Sequence, residues 1–327
     1  MHILIVHIGP PLPVSAYGGT ERVVWDLGKA LVELGHQVSF LATRGSRCDF
    51  AKVIAFNSTL SLGEQIPSSV DIVHFSENPQ QEVGRAFVIT QHNNLSSLRD
   101  VFPNTIFLSR DHANRHGSGH YVYNGIDWSR YRGLDLSEER QYFHFLADAS
   151  KRRKNVNGAI RLARKSGMQL SVIGGSRFYF RRGLRLTLSR NITFHGMVND
   201  LGKSRILPYS MGLLFPVLWH EPFGLAIIES LYFGCPVFGT TYGSLPELIG
   251  PQYGYLANSA TQLLRAMQRV GEWSSCACHS YARDNFSSRV MALGYLNYYQ
   301  RVLGGETLNA DLPVKAVLNR KMLPWGN

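Results

Sequence analysis

Residues 2–8 form a short, mostly apolar and β-branched run that stops at Gly9-Pro10-Pro11, the pattern of a buried strand opening into a loop. A glycine pair, Gly18-Gly19, precedes a helical pattern. From Thr20 the apolar residues Val23, Val24, Leu27, Leu31 and Leu34 recur at helical spacing, and Gly35 stands where a C-terminal cap belongs. Residues 37–42 predict a second strand, and 71–75, 86–90, 105–108 and 121–123 predict further buried ones. Strands alternating with helices imply a parallel sheet covered on both faces.

The same grammar then restarts. Strands are predicted at 141–147, 169–173, 192–194, 213–215 and 236–238, with helices at 155–166, 200–209 and 224–233. The expected fold class is therefore α/β, with two Rossmann-like doubly wound domains facing across a cleft. They cover residues 1–135 and 136–286 and join through the polar stretch 128–138 after Asn124-Gly125. Residues 262–303 read as mostly helical, broken at Asn285-Phe286-Ser287. Val290, Leu293, Leu296, Tyr299 and Val302 mark a last amphipathic helix, and residues 304–327 have no clear period. In doubly wound sheets, ligands bind outside the carboxyl ends of the strands.

Composition narrows the classes. The chain has 327 residues, 44% hydrophobic and 17% charged, ordinary globular values that exclude disordered and fibrous proteins. Its net charge of +11 favours polyanionic partners: phosphates, acidic lipid headgroups or nucleic acid. Four cysteines are too few and too irregular for a disulfide framework, and Cys276-Ala277-Cys278-His279 has no second ligand pair at zinc spacing. No apolar run is long enough to span a membrane, and the first residues lack the marks of a signal peptide, so a cytoplasmic location is expected.

The most informative segment runs from His220 to Ser230. Glu221 lies at the end of a predicted strand and Gly224 opens a helix, so the backbone N–H groups of Phe223, Gly224 and Leu225 are expected at a helix N-terminus that suits an anion. Glu229 follows in an otherwise apolar helix, where a carboxylate needs a partner; one reading is solvent or a buried arginine. With Glu221 eight residues earlier and Pro222-Phe223-Gly224 between them, the stretch resembles the E-x7-E signature of retaining glycosyltransferases of the two-Rossmann-domain (GT-B) architecture, specifically family 4 (glycosyl transferases group 1). The resemblance implies that Glu221 contacts hydroxyls of the donor sugar near the reacting carbon and that Glu229 holds the ribose hydroxyls.

Other segments extend the resemblance over roughly residues 2–303. Tyr17-Gly18-Gly19-Thr20-Glu21 resembles the family's N-terminal glycine loop, which approaches the donor diphosphate; Asn124-Gly125-Ile126-Asp127 resembles the segment closing the first domain. Gly243-Ser244-Leu245-Pro246-Glu247 resembles the loop after the next strand, and the last helix, within 287–327, resembles the family's return helix onto the first domain. His92, after the strand at 86–90, takes the place of a histidine near the donor sugar, and His7 is a weaker candidate. In the basic stretch Lys151-Arg152-Arg153-Lys154-Asn155, Lys154 takes the place of the phosphate-neutralising lysine. The family's preceding arginine is absent, since its positions read Ala147-Asp148-Ala149, leaving Lys151 or Arg152 to supply the charge. Gly174, in the Gly174-Gly175 pair after the strand at 169–173, joins the expected donor-binding residues.

A second basic cluster, Arg177, Arg181, Arg182, Arg185 and Arg190, interleaves with Phe178, Tyr179 and Phe180. An anionic membrane or glycan-phosphate surface is ranked first for it, a solvated helix second and nucleic acid last. The resemblance implies a metal-independent hexosyltransferase without a cofactor, cytoplasmic or peripheral on the inner membrane face. It would use a nucleoside-diphosphate-sugar donor and a glycan or glycolipid acceptor, as in lipopolysaccharide or exopolysaccharide assembly. The alternatives are a non-catalytic sugar-nucleotide-binding scaffold and a nucleotide-sugar epimerase on the same fold.

Overall fold

The computed structural model of the protein describes residues 1–13, 18–79, 83–95, 101–179, 185–315 and 322–326, without the side chains of Tyr179 and Arg185. In chain order the first part carries β1 (His2–His7), α1 (Gly19–Glu33), β2 (Gln37–Ala42), β3 (Lys52–Ala55), α2 (Leu62–Gln65), β4 (Ile72–Phe75), β5 (Phe87–Thr90), β6 (Thr105–Ile106) and α3 (Arg110–Asn114). Then come β7 (Tyr142–Leu146), α4 (Val156–Ser166), β8 (Leu170–Ile173), β9 (Phe178–Tyr179), β10 (Arg185–Leu186), β11 (Ile192–Phe194), α5 (Asp200–Ile206), β12 (Ser210–Phe215) and α6 (Leu225–Tyr232). The chain ends through β13 (Val237–Gly239), α7 (Leu245–Leu248), β14 (Gly254–Leu256), α8 (Ala260–Met267), α9 (Ser275–Asn285) and α10 (Ser288–Leu303). None of the described helices is long and apolar enough to cross a membrane.

The chain forms two compact units, Met1–Trp128 with Phe286–Val317, and Ser129–Asn285 with Leu318–Asn327. In the first, six parallel strands run in the order β3-β2-β1-β4-β5-β6. β1 and β4 are buried along their whole length, which is why they read as apolar runs rather than alternating ones. β3 was not predicted: it is an edge strand of exposed and half-buried residues, so its pattern carries no core signal. The strand predicted at 121–123 reduces to a single bridge between Phe107 and Tyr121.

Helix α10 belongs to this first unit. Ile126 pairs with Ser287, and a Cβ at Gly125 would sit 2.2 Å from the Ser287 carbonyl oxygen, so only glycine admits this close crossing. The face that α10 buries is Met291, Ala292, Tyr295, Tyr299 and Val302, while Val290 and Leu293, predicted to be buried, are exposed. Polar bonds select that face. His74 on β4 joins the Tyr299 hydroxyl at 2.5 Å and Thr90 Oγ1 at 2.7 Å, and Thr90 Oγ1 donates to the Tyr295 hydroxyl at 2.8 Å. Lys29 on α1 pairs with Asp127 at 2.6 Å, so the segment after Asn124 is tied to α1 as well.

The second unit repeats the plan. Its parallel sheet runs β11-β8-β7-β12-β13-β14, and β9 and β10 form a separate antiparallel pair. Numbered within each six-stranded sheet, both follow the order 3-2-1-4-5-6, which reverses direction between the first and fourth strands. β14 was not predicted, being three residues long with Tyr255 exposed. The described tail residues lie on this unit, with Leu323 N donating to Leu218 O at 2.8 Å and Gly326 pairing with Ser259. At its centre His144 on β7 bonds Ser210 Oγ at 2.6 Å and Ser230 Oγ at 2.8 Å.

Burial pushes His74 and His144 each down to about 3 from the ordinary 6.5. A depressed folded-state value means that the unfolded chain takes up protons first on acidification. Their contribution to stability is therefore complete above pH about 6.5 and is lost progressively towards pH about 3. Urea unfolding midpoints measured from pH 7.5 to 4 are expected to fall on acidification. A His144→Phe variant should show a shallower slope, and midpoints independent of pH would contradict this assignment.

Candidate functional site

The second sheet reverses its order between β7 and β12, and the loops leaving those two strands are joined. Leu218 N donates to Arg153 O at 2.8 Å, and Asn155 Nδ2 donates to Pro216 O at 2.9 Å. Asn155 has φ +56°, a left-handed conformation that asparagine and glycine tolerate best, and its Oδ1 caps α4 by accepting from Gly158 N at 3.0 Å. This conformation gives a physical reason for asparagine directly after Lys154. The tight one-turn helix Arg152–Lys154 then turns Lys154 towards the loop after β12.

Lys154 Nζ reaches Glu221 Oε2 at 2.6 Å, and Trp219 Nε1 donates to the same oxygen at 2.8 Å. Both bonds fall on Oε2; Oε1 has no hydrogen-bond partner among the described residues. Glu221 is 5% exposed, and its backbone is clamped: it forms a bridge with Gly243, and Ser244 N donates to its carbonyl at 2.9 Å. A Cβ at Gly243 would lie 2.3 Å from Glu221 N, so the glycine of the segment 243–247 is what lets that loop approach. Burial lowers the Lys154 pKa, and the Glu221 carboxylate opposes the shift. The two charges therefore depend on each other.

Sequence reasoning passed over Trp219 and Arg153. The Arg153 guanidinium lies 3.9 Å from the Trp219 ring centre, with Lys154 Nζ 5.1 Å from the same ring. Arg153 Nε is buried without a partner among the described residues. Of the residues expected to replace the missing arginine, Lys151 is exposed and 3.9 Å from Asp148, and Arg152 is exposed. Asp148 instead closes its own turn by accepting from Ser150 N and Oγ. Arg153 is thus the cation held beside Lys154.

Gly224, at φ +96°, is the N-cap of α6 and Leu225 its first residue, with no side chain capping this end. Ile227 N donates to Gly224 O at 2.9 Å, and the amides ahead of it, Leu225 and Ala226, have no acceptor within the helix, as at any helix start. The Phe223 side chain is core, 1% exposed, while its carbonyl accepts from Ser244 Oγ at 2.6 Å. Gly174 packs on the loop after β7, where a Cβ would meet Ala147 O at 2.1 Å. Glu229 is 3% exposed: Lys203 Nζ reaches its Oε1 at 2.7 Å and the Tyr131 hydroxyl donates to the same oxygen. The partner is thus a lysine that reads in sequence as a polar-face residue of α5.

Gly18, the N-cap of α1, Gly19, its first residue, and His92 belong to the first unit; Tyr17 lies outside the described residues. His92 is half-buried just after β5, and burial, with His7 as the second cause, pushes it down to about 3. In the second basic cluster, the Arg177 guanidinium is bound to the carbonyls of Thr187, Ser189 and Ile192, bracing β9 and β10 rather than facing a partner. Arg190 is exposed; Phe180, Arg181 and Arg182 lie outside the described residues, as does the Arg185 side chain. On α9, Cys276 is exposed, Cys278 is buried and His279 bonds the Tyr232 carbonyl at 2.5 Å.

Compared by sequence with curated proteins, the chain finds no match. Residues 132–273 match the model of the family Glycosyl transferases group 1. Among solved structures, the chain is similar to AviGT4, a glycosyltransferase involved in avilamycin A biosynthesis, at 22% identity and a TM-score of 0.75 over 94% of this chain and 99% of that one. It is also similar to sucrose-phosphate synthase from Thermosynechococcus elongatus, at 16% identity and 0.70 over 93% and 100%. Anabaena HepE, solved with UDP and glucose, matches at 14% identity and 0.64 over 91% and 99%. Two parallel six-stranded sheets with flanking helices are the fold of these GT-B glycosyltransferase structures, and the segment matching the group 1 family holds Lys154, Glu221 and Glu229.

Proposed function

We propose that the protein is a retaining glycosyltransferase that moves a hexose-type sugar from a nucleoside-diphosphate-sugar to a hydroxyl of a glycan or glycolipid acceptor. The observation that carries this reading is that Glu221 Oε1 has no partner among the described residues while Lys154 and Trp219 hold Oε2, with Arg153 stacked on the same Trp219, at the switch point of a doubly wound sheet. A carboxylate fixed through one oxygen offers the other to sugar hydroxyls without reorganising. Lys154, Arg153 and the first amides of α6 provide the positive potential that a departing diphosphate requires.

In this reading the donor sugar lies at Glu221, the diphosphate at Lys154 and Arg153 with Gly224 and Leu225, and the ribose at Glu229. The leaving phosphate takes the proton of the attacking hydroxyl on the same face of the sugar, so the anomeric configuration is kept. The first unit is assigned to the acceptor side. HepE, whose solved complex contains UDP and glucose, supports a nucleotide-sugar donor by its shared fold.

Release of nucleoside diphosphate from a panel of UDP-, GDP- and ADP-hexoses tests the reading. One donor should turn over, and Glu221→Gln should lower kcat about a hundredfold with the nucleotide affinity kept. Turnover of no donor, or a fully active Glu221→Gln, would overturn it. Glu229→Gln, which keeps the side-chain shape and removes the charge, is expected to weaken nucleoside diphosphate binding about tenfold by calorimetry. Unchanged affinity would restrict Glu229 to pairing with Lys203.

A further inference from the structure

The first unit has a polar cavity of ≈ 230 Å³ at the carboxyl ends of β1, β4 and β5, against the first turn of α1. His7, Glu21, Ser76, Glu77, Asn78 and His92 lie in its wall, and among the described lining residues there is no lysine or arginine, in a chain of net charge +11.

The hydrogen-bond pattern fixes what this cavity offers. His7 is 1% exposed, and its Nδ1 lies 2.9 Å from Ser76 Oγ. That hydroxyl donates its hydrogen to Val6 O at 2.9 Å, so Nδ1 carries the imidazole proton and Nε2 presents a lone pair. Among the described residues Nε2 has no partner, and neither has the buried Oδ1 of Asn78. Glu21 and Glu77 lie close enough to draw the His7 pKa upward, but burial outweighs them and keeps the ring neutral. Four groups of the wall are acceptors, the carboxylates of Glu21 and Glu77, His7 Nε2 and Asn78 Oδ1, while the Ser76 hydroxyl spends its hydrogen on Val6 O. Buried acceptors without donors are costly, and two carboxylates repel an anion. The positive end of α1 opens here too, but its first turn already carries Glu21.

We infer that this cavity binds a protonated amine flanked by hydroxyls, the chemistry of an amino sugar or an aminocyclitol. The ammonium supplies charge-assisted donors to Glu21 and Glu77, and a neighbouring hydroxyl donates to His7 Nε2. The volume, below the ~300 Å³ of sites for drug-sized ligands, suits a single ring. That this ring is the acceptor end of the transfer rests on the reading above; the binding itself does not.

The test titrates the whole chain at pH 7 with glucosamine, 2-deoxystreptamine, N-acetylglucosamine and glucose, and separately with UDP, GDP and ADP. At least one amine should saturate and bind about tenfold or more tightly than the neutral sugars. Glu77→Gln, at an exposed position, should abolish that preference with nucleotide affinity unchanged, and Glu21→Gln should abolish the preference as well. Equal binding of amine and neutral sugar, no saturation by either amine, or a preference surviving both substitutions in folded protein would overturn the inference. Amine preference without any nucleotide binding would remove the transferase reading and leave this one standing; nucleotide binding without amine preference would do the reverse.

Discussion

Lys154 and Trp219 donate to one and the same oxygen of Glu221, and the rest of the second unit is arranged so that they can. A half-buried ammonium and a carboxylate at 5% exposure are tolerable only together. Their meeting follows from topology: β7 and β12 are neighbours in the sheet although 63 residues separate the end of one from the start of the other. Backbone and Asn155 bonds then join the two following loops. A carboxylate so held has one oxygen committed and one available to a hydrogen-bond donor.

The two units solve the burial of polar groups in parallel ways. A histidine in each sheet, His74 in the first and His144 in the second, is fully hydrogen-bonded by hydroxyls from a helix and a strand. Each such network specifies which helix face packs there, because a wrong face would leave imidazole nitrogens without partners. In the first unit this outweighs hydrophobicity, putting Tyr295 and Tyr299 inside and leaving Leu293 exposed. Glu229 with Lys203 and Tyr131 is the ionic counterpart under α6.

Much of this was legible in the sequence, and the residues show why the rest was not. β1, β2, β4, β7 and β8 are central strands whose buried runs announce themselves; β3 and β14 are short edges whose side chains meet solvent. Glu221, Lys154 and Gly224 were found through a local spacing together with a family resemblance. Trp219 and Arg153 were missed because an aromatic and a cation 66 positions apart give no periodic signal of contact. Lys203 sits on a helix with charged neighbours and reads as a surface residue until Glu229 is seen beneath it.

The central claim is that the open oxygen of Glu221 grips the sugar of an activated donor. The most direct measurement is the affinity difference between a nucleoside diphosphate and the matching nucleoside-diphosphate-sugar, titrated by calorimetry into the unmodified protein and into Glu221→Ala. The account predicts that the sugar adds affinity in the unmodified protein and that this increment vanishes in the variant. An increment of equal size in the two proteins would contradict it.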